Sequence, residues 1–407
     1  MTERSASQNL NVAAPDRTFP LGPLLTTLSV QTLATAAAFS VPSVAPAIAR
    51  DLGINPALIG FYISAVYGVG ILSAFFSPPV ISRLGAVLVS QMVLIATTAM
   101  LLTAATGTVM SVALSAVIMG LAYGSTAPAS THLLVPRTAP AYMNLVLSIR
   151  QIGVPLGGML ASLVVPPLTQ HLGWQTVLLL ELVPVLILGC IIEIACWHWD
   201  GPRRVETGIK VQGPLAPLGL LKHSRALRRL SFASFIYSGL QLCFIVFMTT
   251  QLTTKTGLNL VRAGQALAAY QFAGVVSRPI WGWLSDTVMG ARWWLGIQGI
   301  IMCCAAVLAG TFGPSWPVPM LFAVCMVAGA TASGFTGIAY GEYARLGGER
   351  RTEATGLGAS FMFAGVMFLP SAMSAVVTLT GHYEYAYATI GVFALLAGLG
   401  MMIKWPE

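Results

Sequence analysis

Twelve long apolar runs, separated by short polar breaks, dominate this 407-residue chain. They lie at roughly 21–49, 56–81, 85–105, 108–135, 142–168, 174–197, 229–253, 261–285, 291–312, 316–344, 353–379 and 383–404. An apolar helix of about 20 residues spans the hydrocarbon of a bilayer. The runs lack the ten-residue alternation that marks membrane strands. Only 8% of the residues are charged and 56% are hydrophobic, whereas a soluble domain carries about 25% charged residues. The solvent for most of this chain is therefore lipid, and the expected fold is all-α and integral to the membrane, with twelve transmembrane helices.

The distribution of the +8 net charge fixes an orientation and argues against a nucleic-acid partner. If both termini face the cytoplasm, Arg4, Arg17, Arg83, Arg137, Arg203, Arg204, Lys210, Lys222, Arg225, Arg228, Arg229, Arg292, Arg345, Arg350, Arg351 and Lys404 all fall on that side. Only Arg50, Lys255 and Arg262 fall outside. That asymmetry is the positive-inside bias, and it places the chain as a multi-pass protein of the cytoplasmic (inner) membrane. The first run is not expected to be a cleaved signal, because a polar tail precedes it and no small-residue cleavage pattern follows. The six cysteines all fall inside spans and read as packing residues, with no metal-ligand spacing.

The organisation is two six-span halves around one polar stretch. The expected units are a cytoplasmic tail at 1–19, a bundle at 20–197, a basic, Pro- and Gly-rich linker at 198–228 and a second bundle at 229–407. The halves repeat. At a constant offset of 204, Gly53 matches Gly257, Asn55 matches Asn259, Gly60 matches Gly264, Gly70 matches Gly274 and Ser73 matches Ser277. Parallel six-helix repeats about an axis normal to the membrane are a transporter architecture, so the bundles are expected to be pseudo-symmetric.

The loops after the second and eighth spans carry a recognisable pattern. Gly282, Asp286, Gly290 and Arg292 follow a Gly-x-x-x-Asp-Arg-x-Gly-Arg-Arg marker with one inserted residue, while the first copy keeps Arg83 and Gly85 but has Pro78 and Ser82 for its glycine and aspartate. On these residues the chain resembles the major facilitator superfamily. The resemblance implies a secondary transporter whose marker carboxylate, Asp286, latches one state by pairing with a helix N-terminus or an arginine. Gly282, Arg292, Arg83 and Gly85 complete the expected gating set. With Ser82 in place of a carboxylate, the latch of the first half is expected to be the weaker one.

Two arginines lie inside spans, where a charge is costly and usually faces a cavity or a partner. Arg278 with Pro279 and Gly282 resembles the Arg-Pro-x-x-Gly of monocarboxylate transporters, and oxalate–formate exchangers and nitrate porters also place an arginine on this helix. In monocarboxylate transporters that arginine is the substrate-carboxylate ligand, which the resemblance implies for Arg278. The monocarboxylate pattern has an aspartate one turn earlier, where this chain has Gly274. A side chain snorkelling to the headgroups is the competing reading of Arg278. Arg150 precedes Gly153, Pro155, Gly157 and Gly158, a run suited to close helix contact and a bend. In the family's fold spans five and eight are neighbours, so Arg150 and Arg278 are expected to flank one anion site. The alternative for Arg150 is an ion pair with Glu181 or Glu193.

Gln271 lies seven residues before Arg278, on the same helical face. Tyr237, Gln241, Tyr67 and Tyr340 are further candidate ligands from spans seven, two and ten. Spans one, four and seven contain no Asp or Glu, which leaves Glu181 as the candidate proton carrier. The expected function is alternating-access transport of a small organic anion, a carboxylate, as anion exchange or proton symport. The alternative is proton-coupled efflux of drugs or lipophilic compounds. An enzyme is not expected, since no nucleotide loop, HExxH or Cys/His cluster occurs. No cofactor or metal is expected. The expected partners are the anionic substrate and membrane lipid, with the chain a monomer.

Overall fold

The computed structural model describes residues 19–139, 143–200 and 219–403. The expected tail up to residue 18 and the middle of the expected linker, 201–218, lie outside them, as do the side chains of Ser82 and Asp286.

Twelve membrane-length spans are present among the described residues. Eleven are long and apolar enough to cross a bilayer. The remaining one, Leu260–Thr287, holds Arg262, Arg278 and Asp286 and is less apolar. In order, span one is Leu21–Ser43, span two Ile59–Leu84, span three Ala86–Ala105 and span four Val109–Leu134. Span five joins Met143–Gln151 to Gly153–Leu172, and span six joins Trp174–Leu180 to Leu182–Ala195. Span seven is Arg225–Thr256, span eight Leu260–Thr287 and span nine Ala291–Gly310. Span ten runs from Val318 to Gly347, with a π-helical turn at Gly329–Ser333. Span eleven is Arg351–Thr380 and span twelve Tyr383–Met402. Large apolar side chains such as Ile95, Met110, Ile194 and Leu379 are exposed, which is how a surface that faces lipid tails is built. The chain is a multi-pass membrane protein.

Several spans are broken where the expected runs were continuous, and proline explains three of the breaks. A helical proline leaves the carbonyl four residues earlier without its N–H partner. Pro155 does this to Gln151, at the break in span five, and Pro184 does it to Leu180, at the break in span six. The expected first run, 21–49, ends instead at Ser43. Pro42 and Pro46 flank the break, and a separate helix, Ala45–Leu52, follows.

The repeat is visible as chemistry. Gly53 and Gly257 both close a helix in the left-handed region, at φ 65° and 74°. Asn55 and Asn259 then cap the next helix, accepting the N–H of Ala57 and of Arg262 at 2.9 Å each. Within each half, small residues let backbones touch. Gly124 of span four lies on the carbonyl of Gly70 in span two, and Gly329 of span ten lies on that of Tyr270 in span eight.

The two halves meet across one end of the bundle, the end of the loops bearing Arg50, Lys255 and Arg262. There Thr249 Oγ1 donates to Pro42 O at 3.0 Å, and Ser374 Oγ donates to Ala57 O at 2.6 Å. Gly60 nests against span eleven and Gly264 against Ser162 and Pro166 of span five. At the opposite, basic end the halves part around a cavity.

Candidate functional site

The cavity has a volume of about 2720 Å³. Its mouth is rimmed by Arg225, Arg292 and Arg345, and its depth reaches Phe39 and Ile245. It receives Arg150 and Arg278 together with Gln241, Tyr67, Tyr123 and Tyr340.

The arginines meet on one residue. Arg150 Nη1 donates to the side chain of Gln151 (Oε1, 3.3 Å), and Arg278 Nη1 donates to the backbone carbonyl of the same residue, also at 3.3 Å. That carbonyl is the one Pro155 leaves free, so the bend in span five makes the acceptor that span eight uses. Arg278 is held further by span ten. Its Nε donates to Ser333 O at 3.1 Å and its Nη2 to Ser333 Oγ at 3.3 Å. Ser333 ends the π-helical turn, a feature that recurs at functional sites, and Gln241 Nε2 also reaches its hydroxyl at 3.4 Å. Gly274, standing where the monocarboxylate pattern has an aspartate, makes the approach possible. A Cβ there would lie 2.6 Å from Ser333 Cβ.

Arg150 is 4% exposed and points toward span one. Its Nη2 donates to Gln31 Oε1 at 2.8 Å, Gln31 Nε2 donates to Thr35 Oγ1 at 3.0 Å, and Thr35 meets the Tyr123 hydroxyl at 3.2 Å. Tyr67 stands edge-on to Tyr123 with centroids 5.5 Å apart and lies 6.4 Å from the Phe363 ring of span eleven. Tyr123 and Tyr340 are near enough to act electrostatically on Arg150.

Among the described residues, every hydrogen-bond partner of the two arginines is neutral. Neither Glu181 nor Glu193 pairs with Arg150. Glu193 accepts from Gln91 at 2.6 Å, and Glu181 lies beside Ser40. Arg278 turns toward Ser333 and Gln151 rather than snorkelling outward. Among the described residues the cavity's single acid is Glu342, held at the mouth by Arg345 in a two-pronged pair of 2.6 and 2.8 Å. A guanidinium has five N–H donors. Arg278 spends three and Arg150 two on these neutral groups, leaving donors and net charge for an anion.

Not every candidate ligand arrives. Tyr237 is fully buried and donates to Leu295 O of span nine at 3.0 Å, outside the cavity lining. Gln271 is 1% exposed, packed against Gly158 with its amide nitrogen unpartnered, and also lies outside the lining. Of the gating set, Gly282 and Arg292 line the mouth, with Arg292 5.4 Å from the Trp293 ring. Arg83 is exposed at the same end. Gly85 sits against Asp200, and Asp200 itself caps span three. Gln31, Gln151, Ser333 and Asp200 were not singled out from the sequence. A glutamine inside an apolar run was the available signal for Gln31.

Two known proteins to which the chain's sequence is similar are transporters rather than enzymes. The chain is 27% identical over 212 residues to the nitrate/nitrite transporter NrtP of Nostoc punctiforme, matching 51% of this chain and 40% of that protein. It is 25% identical over 323 residues to the 4-hydroxybenzoate transporter PcaK of Pseudomonas aeruginosa, matching 72% of this chain and 71% of that protein. It thus spans less than half the length of the first relative and under three quarters of the second. Among solved structures, a bacterial homolog of the human lysosomal transporter Spinster, inward-facing and unoccupied, superposes with a TM-score of 0.70 at 15% identity over 94% of both chains. The nucleoside transporter NupG (D323A mutant) gives 0.72 at 16% identity over 93% of this chain and 99% of that one. Residues 27–258 and 230–407 match the Major Facilitator Superfamily, and the chain belongs to that family.

Proposed function

We propose that this chain is a secondary transporter that carries a small organic anion across the cytoplasmic membrane by alternating access. The observation that carries this reading is the meeting of Arg150 and Arg278 on Gln151 across the seam between the halves, with neutral partners only. Two like charges 4 Å apart repel by about 4 kcal/mol at an effective dielectric of 20, less at larger separations. An anion between them relieves that repulsion and lets the halves close. Carboxylates suit guanidinium donors because two parallel hydrogen bonds form at once. The rings of Tyr67, Tyr123, Tyr340 and Phe363 give the body of an aromatic carboxylate apolar walls, and the resemblance to 4-hydroxybenzoate transporters supports that class. Nitrate, the substrate named for other relatives, is the smaller anion the same arginines would hold. Efflux of lipophilic cations is disfavoured, since that function needs an acid deep in the cavity.

With the basic end cytoplasmic, both termini face inside and the state described is open inward. The units are a tail at 1–19, a bundle at 20–197, a linker from 198 that ends at Ser224 rather than at the expected 228 because span seven begins at Arg225, and a second bundle to 407, in a monomer. Arg278, Arg150 and Gln241 bind the anion with Tyr67 and Tyr340 beside them, while Gly282, Asp286, Arg292, Arg83 and Gly85 belong to the inner gate. A thermal-shift series in detergent tests this with 4-hydroxybenzoate, benzoate, short aliphatic carboxylates, nitrate and a lipophilic cation. A binder at 100 times its Kd stabilises by about 2.7 kcal/mol. The anion's effect should vanish in Arg278→Ala and Arg150→Ala. Stabilisation by the cation alone would overturn the reading.

A further inference from the structure

Glu181 occupies the break in span six that Pro184 imposes, and nothing in the anion site uses it. Its Oε1 is buried without a hydrogen-bond partner. Its neighbours are Ser40 of span one and, within electrostatic range, Tyr62 of span two, whose own hydroxyl is buried and unpartnered. Ser40 donates its hydroxyl to Ala36 O at 2.8 Å, and no donor reaches Glu181 Oε1. A buried carboxyl oxygen without a donor suits the neutral, protonated acid better than the charged form. Spans one and three, which pack on span six, bring no ionisable side chain; the outer half of span five, Gly153–Leu172, brings only the exposed His171, and the helix Ala45–Leu52 brings Asp51, which accepts from Trp174 Nε1 at 2.8 Å at the outer end. No cation faces this carboxyl among the described residues.

The position matters as much as the burial. Ser40 is two residues from Pro42, whose carbonyl accepts from Thr249 of span seven, and Ser43 Oγ donates back to Ser40 O at 2.8 Å. The carboxyl therefore touches span one at the point where the halves are clamped at the outer end.

Resting on the anion-transport reading, we propose that Glu181 is the proton site that couples anion movement to the proton gradient, as symport, by acting on the outer clamp of span one. With its proton, Glu181 tolerates a site where its Oε1 has no donor, and the clamp stays closed, as in the state described. Without it, the carboxylate needs water, which favours the state in which the outer end of span one opens. Anion and proton load together because their sites are separate and their charges opposite. An anion on Arg150 and Arg278 removes positive potential from the bundle and strengthens the carboxyl's hold on its proton, and departure of the anion into the cytoplasm weakens that hold. Positive coupling of this kind gives symport, whereas antiport needs competition.

The test uses the full chain in liposomes with labelled 4-hydroxybenzoate, and protein-free vesicles set the passive level. Counterflow at equal pH reads exchange, and accumulation into alkaline vesicles reads coupling. One proton per monovalent anion gives about a tenfold accumulation per pH unit, since a pH unit and a tenfold ratio are equal in free energy. The wild type should reach that ratio above the passive level. Glu181→Gln should keep counterflow within a few-fold and lose the gradient-driven component. If Glu181→Gln accumulates like the wild type, the site is wrong. A wild type that exchanges but ignores the gradient overturns the coupling and leaves the anion reading standing. A wild type without counterflow removes both. Should Glu181→Gln fail to exchange, Tyr62→Phe decides: the pH of half-maximal uptake moves if Glu181 is the proton site, and an unmoved profile overturns it.

Discussion

Asp200 accepts the backbone N–H of Val87 at 3.0 Å on Oδ1, and its second oxygen takes Leu88 N at 3.2 Å. A carboxylate thus sits on the N-terminus of span three, where unpaired N–H groups and the helix dipole favour negative charge. The first marker copy was expected to be the weaker for having Ser82 in place of an aspartate. The structure supplies a charge to that neighbourhood from beyond span six. Arg137, in the turn just past span four, closes the arrangement, donating to Leu133 O at 2.8 Å and to Trp199 O beside Asp200.

Removing that carboxylate should loosen the inner end of the first bundle. Asp200→Ala leaves two N–H groups uncapped and should cost about 1 kcal/mol, read as a lower unfolding midpoint in detergent. Asp200→Asn keeps an acceptor without the charge and should fall between. Gly85→Ala should mimic Asp200→Ala, because Gly85 adopts φ 94° and its added Cβ would overlap the carboxylate. Equal midpoints for all three and the wild type would remove the cap's role.

The anion site should reject lysine. Arg278 reaches two carbonyls and a hydroxyl on two different spans with three separate nitrogens. A lysine ammonium is a point charge and cannot make that fork. Arg278→Lys should therefore weaken anion binding by about 2 kcal/mol or more, over tenfold, although the net charge is unchanged. Pro155→Ala should also weaken it, since the restored N–H competes with Arg278 for Gln151 O. Isothermal titration with the best-stabilising anion checks both, and wild-type affinity in Arg278→Lys would show that charge alone matters.

The spans were legible because lipid forces every backbone group into helices, so apolar run length translates directly into structure. The repeat was legible through Gly53/Gly257 and Asn55/Asn259, residues whose cap roles need no tertiary contact. Arg150 and Arg278 stood out because charge is rare in such runs. Their partners did not, because Gln31, Gln151 and Ser333 are ordinary neutral residues whose role comes from another span crossing at that height. Tyr237 and Gln271 shared helices with cavity residues yet turn elsewhere, which depends on helix rotation that sequence spacing leaves open. Asp200 fell at the edge of a stretch read as linker, and its helix-capping role exists only once spans three and six are adjacent.

Gln298 of span nine has both amide atoms buried without a partner, in a side chain that is fully buried. An unmade hydrogen bond on a buried polar group costs about 1–3 kcal/mol. Gln298→Met keeps the shape and removes the polar atoms, so it should raise the unfolding midpoint while leaving counterflow rates as they are. A lowered midpoint would mean that the amide has a partner in solution.

The outer clamp depends on glycines that admit another backbone. A Cβ on Gly264 would lie 2.5 Å from Ser162 O and 2.7 Å from Pro166 Cγ, and one on Gly60 would lie 2.7 Å from Phe247 Cζ. Overpacking of this kind costs about 1–3 kcal/mol, and here the cost falls only on the state in which the halves touch. Gly264→Ala and Gly60→Ala should therefore shift the population away from the inward-open state, by about fivefold to 150-fold on that energy scale. Thr336 lines the cavity, and a cysteine there, with the six native cysteines replaced, reports access from the basic end. Its reaction with a membrane-impermeant thiol reagent should slow in both variants. Gly400→Ala, at a position with nothing within 4 Å of the added Cβ, should leave it unchanged. Equal rates in all three would mean that these glycines do not decide which end is open.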